Sequence, residues 1–346
     1  MLPLPSSING VGGMKKIEAM DFPLFVKWYI TQRCNLRCTH CYLTDYQRSP
    51  EFEELVPIID YLGERGVFGI VLIGGEPVAR HDLAEIVERI TLRGMRSKIA
   101  TNATLIDTKK ARELVSAGGV QYQVSLESPV AEDNDAIRGS KTFARALRGI
   151  RALVDAGAQV HLAFTLTGVN YRQLESMFEL AAAMGVAGIK LNAFIPIGTG
   201  RLLARQHFLS PDACREIADA IVHHSSRFPG LHVEGGAFVK RIRMSPARPS
   251  PDATFGCGAG TTSMIINSDL TVSACDMLVE EDRTERAIRS PADIDAMWRA
   301  DPLFRRWRGQ GQGERTRTIR SFDDVHQHGC HVAFNAYSRN LFTSGS

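Results

Sequence analysis

The chain has 346 residues, of which 44% are hydrophobic and 23% are charged, as in ordinary globular proteins. Its 41 basic and 38 acidic residues leave a net charge of +3, which is too balanced to indicate a nucleic acid or an anionic membrane as a partner. No apolar run reaches the length of about 18 residues that a membrane span needs, so the sequence excludes such a helix.

The cysteines and the start of the chain indicate the compartment. There are seven cysteines, an odd number, and residues 1–22 lack the apolar stretch of a secretory signal. Both observations argue against a disulfide framework. We therefore expect a cytoplasmic protein with an N-terminal arm over residues 1–22.

From residue 25 to about residue 200, apolar strand-like runs alternate with amphipathic helical patterns. The predicted strands are Phe25–Ile30, Ile70–Leu72, Lys98–Thr101, Tyr122–Leu126, Val160–Leu166 and Ile189–Phe194. The predicted helices are Glu53–Glu64, Asp82–Arg93, Thr108–Ala117, Phe143–Ala156 and Tyr171–Met184. Six such repeats predict a parallel sheet covered by helices, and they are too few for an eight-stranded barrel. We expect an α/β fold in which residues 23–230 form an open, partial (β/α)6 barrel, with ligands at the carboxyl ends of its strands.

The alternation stops after this segment. A predicted helix, Pro211–Ser225, leads to a region rich in Pro, Gly and Arg, where Ser263–Asn267 and Leu270–Ala274 form a predicted hairpin. We expect a second, smaller domain over residues 231–346. Within it, the stretch 283–320 contains ten arginines, and it is either a solvated, partly helical face or a contact for an anion or substrate.

Three cysteines cluster directly after the first predicted strand. Cys34, Cys38 and Cys41 fall within eight residues, so their thiolates can converge on one soft metal centre. Three sulfurs leave one coordination position open, as catalysis requires, whereas four would close a structural site. By spacing alone, a zinc site completed by His40 or a set of unreactive buried thiols remains open.

Further motifs follow the later strands in order. They are Gly74-Gly75-Glu76-Pro77 after the second strand, Asn102 after the third, Ser125-Leu126-Glu127-Ser128 after the fourth, and Asp135-Ala136-Ile137-Arg138-Gly139 shortly beyond. Together with Cys-x3-Cys-x2-Cys and the aromatic Tyr42 that follows it, this series over about residues 25–200 resembles the radical S-adenosylmethionine (radical SAM) family.

The resemblance implies a cofactor and a chemistry. In the family, three cysteines hold a [4Fe–4S] cluster, so Cys34, Cys38 and Cys41 are the expected ligands, and the open iron is expected to bind S-adenosylmethionine (SAM). Reductive cleavage of SAM then gives a 5′-deoxyadenosyl radical that abstracts a hydrogen atom from the substrate. A flavodoxin- or ferredoxin-type protein is the expected reductant.

The resemblance also implies the residues that contact SAM. Gly74 and Gly75 would let the backbone approach the methionine moiety, and Glu76 would accept a hydrogen bond from its ammonium group. Ser125 suits a ribose hydroxyl, and Arg138 suits the carboxylate of SAM. The remaining expected cofactor contacts are His40, Tyr42 and Asn102, although turn formation alone would also explain Asn102.

The C-terminal cysteines resemble the auxiliary-cluster region of the SPASM and twitch subgroup of this family. Cys257, Cys275 and Cys330 are fewer than a full SPASM domain carries, which favours a shortened, twitch-type domain with one auxiliary [4Fe–4S] cluster. Its fourth ligand is expected to be Asp252, His326 or His328, or else substrate or water. Buried, unligated thiols are the alternative.

The substrate class stays open between two possibilities. We favour a ribosomally made peptide, modified by epimerisation, cross-linking or oxidation. The alternative is a dehydrogenase, epimerase or decarboxylase that acts on a sugar, aminoglycoside or nucleoside. Cys214, in the helix after Pro211, is either an ordinary core residue or the hydrogen-atom donor of an epimerase. A non-catalytic iron–sulfur electron carrier would leave the SAM-binding motifs unexplained.

Overall fold

A computed structural model of the chain describes residues 20–203, 205–235, 258–277 and 282–313. The strands are β1 Phe25–Thr31, β2 Gly69–Gly74, β3 Arg96–Thr101, β4 Gln121–Ser125, β5 Gln159–Leu166, β6 Gly188–Ala193, β7 His232–Gly235, β8 Ser263–Ile266 and β9 Val272–Ser273. The helices are α1 Phe52–Glu64, α2 Leu83–Leu92, α3 Thr108–Ser116, α4 Ala131–Arg138, α5 Thr142–Asp155, α6 Leu174–Met184, α7 Pro211–Arg227, α8 Asp293–Ala300 and α9 Pro302–Gly313.

The described strands form one open sheet in the order β7-β6-β5-β4-β3-β2-β1-β8-β9. Every neighbouring pair is parallel except β8 and β9, which form the predicted antiparallel hairpin. The six central strands follow one another in chain order, each separated from the next by helix. This arrangement confirms the predicted α/β architecture and brings the carboxyl ends of β1–β6 to one rim of the sheet.

The two faces of the sheet differ in polarity because the side chains of each strand alternate between them. On β3, Ile99 is fully buried, while its neighbours Lys98 and Ala100 face the other way and are half-buried. On β6, Leu191 is fully buried and Lys190 is half-buried. The apolar face packs with the helices into one large hydrophobic core. The polar face is therefore the interior of the partial barrel.

Local signals in the sequence explain where several helices begin and end. α1 starts at a capping box in which the backbone N–H of Glu51 donates to the carboxylate of Glu54, 2.8 Å away. α3 starts at Asp107, whose carboxylate accepts a hydrogen bond from the N–H of Lys110. α6 ends at Gly185, which adopts a left-handed conformation with φ of 67°.

The second part of the chain is joined to the barrel through the same sheet. β7 pairs with β6, and β8 pairs with β1. The Arg-rich stretch contains α8 and α9. The division into an arm, a barrel over residues 23–230 and a domain over residues 231–346 stays a prediction. None of the helices in the described residues is both long and apolar enough to span a membrane.

Candidate active site

The three N-terminal cysteines lie on a loop at the rim of the sheet, directly after β1. All three thiols are half-buried, and the loop that carries them is fixed by backbone hydrogen bonds. The N–H of Thr39 donates to the carbonyl of Ile137 at the end of α4, 3.0 Å away. The carbonyl of Cys41 accepts hydrogen bonds from both the N–H and the hydroxyl of Thr199, each at 2.9 Å. The loop thus contacts two other parts of the rim.

Gly74 and Gly75 allow β2 to press against the start of this loop. A Cβ atom on Gly74 would lie 2.0 Å from the carbonyl oxygen of Thr31, and one on Gly75 would lie 2.4 Å from the carbonyl oxygens of Gln32 and Arg33. The N–H of Gly75 donates to Thr31 O at 2.9 Å. The space that a side chain would need is thus filled by the backbone leading to Cys34, and these glycines position the cysteine loop.

Glu76 ties the ends of β2 and β3 together. One carboxylate oxygen accepts hydrogen bonds from the N–H of Val78 at 3.0 Å and the hydroxyl of Thr101 at 2.6 Å, and the other accepts from the N–H of Asn102 at 2.7 Å. The residue is 1% exposed. Burial raises the pKa of Glu76, and the hydrogen bonds oppose that shift. Most of the hydrogen-bond acceptor capacity of its carboxylate is therefore occupied by donors of the protein itself.

Asn102 extends this network to the cysteine loop. Its amide nitrogen donates to the side-chain oxygen of Asn35, 3.0 Å away, and the amide of Asn35 donates to the hydroxyl of Thr104 at 2.9 Å. The side-chain oxygen of Asn102 also accepts a hydrogen bond from the N–H of Thr104, as in an Asx-type turn. Asn102 therefore both shapes its turn and fixes the residue that follows Cys34.

Arg138 and Glu127 form a buried ion pair beside the second cysteine. A guanidinium nitrogen donates to the Glu127 carboxylate at 2.6 Å, and another lies 3.9 Å from the sulfur of Cys38. His40 Nε2 lies 3.3 Å from the same carboxylate oxygen. Burial alone would raise the pKa of Glu127, but Arg138 and His40 outweigh it and hold the pKa well below its usual range.

Glu127 is a site residue that the sequence interpretation did not single out. It lies within the tetrapeptide that pointed to Ser125, and its position after β4 was the available signal. Its carboxylate also accepts a hydrogen bond from the N–H of Thr165 at 3.2 Å. One buried carboxylate thus connects the cysteine loop, α4 and β5.

A cavity of about 270 Å³ opens at this rim. Among its lining residues are all of the predicted N-terminal ligands and SAM contacts: Cys34, Cys38, Cys41, His40, Tyr42, Gly74, Gly75, Glu76, Asn102, Ser125 and Arg138. Its further lining includes Tyr29, Tyr46, Gln123, Thr165, Asn192 and Asp276, which the sequence interpretation missed. Asp276 is notable because it comes from the second part of the chain.

The side chains in this cavity fit a cluster better than a single zinc ion. Among the described residues, no three His, Cys, Asp or Glu side chains converge on one metal-ion position, and His40 faces Glu127. A [4Fe–4S] cluster suits three separated thiolates, because each cysteine binds a different iron. Burial raises the pKa of Cys34 to about 11 and also raises that of Cys38, where Arg138 opposes the shift. Metal binding would have to displace those protons.

Two buried polar atoms of the site have no hydrogen-bond partner within the described chain. They are Nε of Arg138 and Nδ1 of His40. Buried polar atoms without hydrogen-bond partners are rare in proteins, and each one requires an explanation. Both atoms belong to residues that line the cavity, and a polar cofactor there would supply the missing partners.

The other predicted cysteines lie elsewhere. Cys214 is fully buried in α7 within the main core and does not line the cavity, and burial raises its pKa to about 12. Cys275 is also buried, and it directly precedes the cavity residue Asp276. Cys257 and Cys330 lie outside the described residues, as do the candidate fourth ligands Asp252, His326 and His328.

A larger hollow of about 680 Å³ lies along the Arg-rich stretch. It shares no lining residue with the cysteine cavity. Arg283 pairs with Asp269 at 2.7 Å, and Arg306 pairs with Asp282. These ion pairs favour the interpretation of this stretch as a solvated charged face.

Comparison with known proteins shows the family to which the chain belongs. Residues 28–181 match the model of the Radical SAM superfamily. Over 300 residues the chain is 30% identical to the mycofactocin maturase MftC of Mycobacterium ulcerans, covering 84% of this chain and 78% of that protein. Over 215 residues it is 34% identical to the Fe-coproporphyrin III synthase of Methanosarcina barkeri, covering 61% of this chain and 53% of that protein.

A solved structure has a similar fold. SuiB of Streptococcus suis, bound to its precursor peptide SuiA, superposes with a TM-score of 0.73 at 17% identity, covering 91% of this chain and 73% of that chain. The open parallel sheet and the three-cysteine cavity at its rim define an enzyme that uses SAM for radical chemistry. The chain belongs to the radical SAM superfamily, and its relatives place it in the SPASM/twitch subgroup.

Proposed function

We propose that this radical SAM enzyme modifies a ribosomally made peptide. The observation that carries the proposal is the similarity to the mycofactocin maturase, which extends over 84% of the chain and therefore beyond the barrel. The fold also matches SuiB, which was solved with a precursor peptide. The favoured reactions are epimerisation, cross-linking or oxidation of the peptide.

The residues of the cavity have separate roles in this proposal. Cys34, Cys38 and Cys41 would hold a [4Fe–4S] cluster, which when bound supplies the electron for SAM cleavage and an open iron for SAM. Arg138 would bind the SAM carboxylate through the guanidinium N–H for which the described residues offer no partner. Ser125 lines the cavity and would contact the ribose. The walls would exclude water and competing hydrogen donors from the radical.

The role of Glu76 follows from its hydrogen bonds within the protein. Three donors of the chain already occupy its carboxylate, so its contribution is to hold the rim in shape. A contact with the SAM ammonium would use the remaining acceptor capacity of this group. The backbone of Gly74 and Gly75 would present the cysteine loop to the cofactor.

The proposal includes an auxiliary cluster and a reductant. Cys257, Cys275 and Cys330 would hold a second [4Fe–4S] cluster, and the position of Cys275 next to Asp276 would place it close to the cavity. Such a cluster would accept an electron from the substrate in an oxidation, or relay electrons to the first cluster. A flavodoxin- or ferredoxin-type protein would supply electrons in the cytoplasm.

A small-molecule substrate is the second candidate. The 34% identity to the Fe-coproporphyrin III synthase favours a porphyrin among small molecules, but it covers only 61% of this chain. Sugars, aminoglycosides and nucleosides are the other small-molecule substrates considered. The peptide proposal accounts for the longer similarity.

The experiment uses anaerobically reconstituted enzyme with dithionite and SAM. Short peptides encoded beside the gene serve as substrates, and a porphyrin precursor of Fe-coproporphyrin III, the compound that the Methanosarcina barkeri relative makes, serves as the comparator. We expect 5′-deoxyadenosine release to rise at least about 10-fold with one peptide, together with a change in the mass of that peptide. The variant with Cys34, Cys38 and Cys41 all changed to Ala should show neither. Stimulation by the porphyrin and by none of the peptides would overturn the peptide assignment.

A further inference from the structure

Five charged side chains converge inside the partial barrel, below the cavity. We call this set the interior cluster; it consists of Lys27, Lys98, Lys190, Glu234 and Asp276. Lys27 pairs with Asp276, and Lys98 Nζ lies 3.2 Å from a Glu234 oxygen. Lys190 Nζ lies 3.9 Å from the other oxygen of Glu234. The set joins β1, β3, β6 and β7 to the segment after β9.

Counted over the described residues, the interior cluster carries one more positive than negative charge, because it contains three ammonium groups and two carboxylates. Their side chains are only 20–35% exposed. Lys190 Nζ donates a hydrogen bond to a neutral acceptor, the side-chain oxygen of Gln123, 2.8 Å away. Burial lowers the pKa of Lys190 to about 8, and the neighbouring Lys27 and Lys98 act in the same direction. A half-buried cation in excess is costly unless an anion compensates it.

The interior cluster lies directly below the SAM cavity. Gln123, which contacts Lys190, lines the cavity, and so does Asp276. Along β3 and β5 the inward residues that line the cavity are Ala100, Ala163 and Thr165, all of them short side chains. Gln123 and Asp276 therefore connect the interior cluster to the cavity.

We propose that the interior cluster binds a carboxylate of the substrate and thereby orients the substrate beneath SAM. A carboxylate fits because it is a monoanion and would neutralise the single excess charge, whereas a phosphate dianion would overcompensate it. The proposal deepens the proposed function, because a peptide offers a carboxylate at its C-terminus or on an Asp or Glu side chain.

Minimal probes test this inference without SAM cleavage or a precursor peptide. N-acetylglycine represents a peptide C-terminus, and N-acetylaspartate α-methylamide represents an acidic side chain; each carries one carboxylate. N-acetylglycinamide is the neutral control. Binding to the reconstituted full-length protein is measured by saturation-transfer NMR at constant ionic strength. We expect at least one carboxylate to bind with a Kd of about 5 mM and the amide to bind at least about 10-fold more weakly.

Substitutions assign that binding to the interior cluster. Lys190→Met should weaken carboxylate binding by about 10-fold or more, because it removes a charged hydrogen-bond donor. Lys190→Arg keeps the charge and should retain most of the affinity. Lys109→Met, at an exposed position of α3, should bind like the wild type. If Lys190→Met does not fold, Lys98→Met provides the same test, since it also removes the excess charge.

Two results would overturn the inference. One is equal binding of N-acetylglycine and its amide to the wild type. The other is unchanged carboxylate binding in the Lys190→Met protein. The relative affinity of the two carboxylates identifies the source that the site prefers. Failure of peptide modification would leave these measurements unaffected, so the two proposals can fail separately.

Discussion

Arg138 contacts two groups that can carry negative charge. One is the carboxylate of Glu127, and the other is the sulfur of Cys38, which is negative only as a thiolate. Glu127 is 2.6 Å away and 2% exposed, so the guanidinium is neutralised even when Cys38 is a thiol. The sulfur of Cys38 lies 3.9 Å from the same guanidinium, which would face a thiolate if Cys38 binds the proposed cluster. A cation held by a buried carboxylate can thus support the negative charge of a thiolate-bound centre without a large rearrangement.

Glu76 illustrates how a residue inside a binding motif can act through the fold. We expect Glu76→Gln to lower the free energy of unfolding by about 2 kcal/mol. Val78, Thr101 and Asn102 all donate to this carboxylate, so an amide nitrogen at either oxygen position would face a donor. The measurement is the thermal midpoint under anaerobic conditions, which should fall by about 4 °C.

The matched control for this substitution is Glu88→Gln at an exposed position of α2. It makes the same chemical change without burial and should leave the thermal midpoint within about 1 °C of the wild type. Equal midpoints for the Glu76 and Glu88 variants would show that the hydrogen bonds of Glu76 do not stabilise the rim.

At the scale of the elements, hydrophobic patterning predicted the six central strands, because each carries regularly spaced buried residues between helical patterns. β7 was missed because His232–Gly235 contains a single branched apolar residue, and its place depends on pairing with β6. α4 was missed because its sequence is mostly polar, with only Asn134 buried. Such elements are specified by their neighbours more than by their own composition.

The candidate site, like the set of strands and helices, could be predicted from the sequence only in part. Motif residues at successive strand ends were predicted to meet, and they do, because parallel strands bring their carboxyl ends to one rim. Asp276 could not be predicted, since its partner Lys27 is 249 positions away in the chain. The role of Gly74 and Gly75 was also hidden, because it depends on the backbone of Thr31–Arg33 lying against them.

The placement of Lys190 on the inward face of β6 has a consequence for stability at alkaline pH. Its pKa is about 8 in the folded protein, against an ordinary value of 10.5. Above pH 8 the folded state loses this proton while the unfolded state keeps it, so the free energy of unfolding rises with pH until about pH 10.5. Between about pH 8 and pH 9.5 the gain should be about 1.5 kcal/mol.

Lys190→Met isolates that effect, because other titrating groups cancel in the difference between the two proteins. We expect the wild type to gain about 1.5 kcal/mol relative to the variant over this pH range, measured by urea unfolding at each pH. A constant difference between the two proteins would show that Lys190 keeps its ordinary pKa. Lys109→Met should track the wild type throughout.

At the scale of the whole molecule, the C-terminal part extends the open sheet of the partial barrel. β8 covers the free edge of β1, pairing Val26 with Met264 and Trp28 with Ile266. Arg48, in the segment after the cysteine loop, pairs with Asp269 in the turn between β8 and β9 at 2.6 Å. Asp276 then reaches the cavity itself. The hairpin therefore contacts both the strand that precedes the three N-terminal cysteines and the segment that follows them.

The proposed auxiliary cluster has a direct test. With Cys34, Cys38 and Cys41 all changed to Ala, reconstituted protein should still contain about four irons and four sulfides per chain. Cys275 is the described member of the remaining set, and adding Cys275→Ala should bring the iron content close to zero. Adding Cys214→Ala instead is the matched control, since that thiol is also buried but lies on α7. Iron near zero in the triple variant itself would leave Cys275 a structural thiol and remove the second cluster from the proposed mechanism.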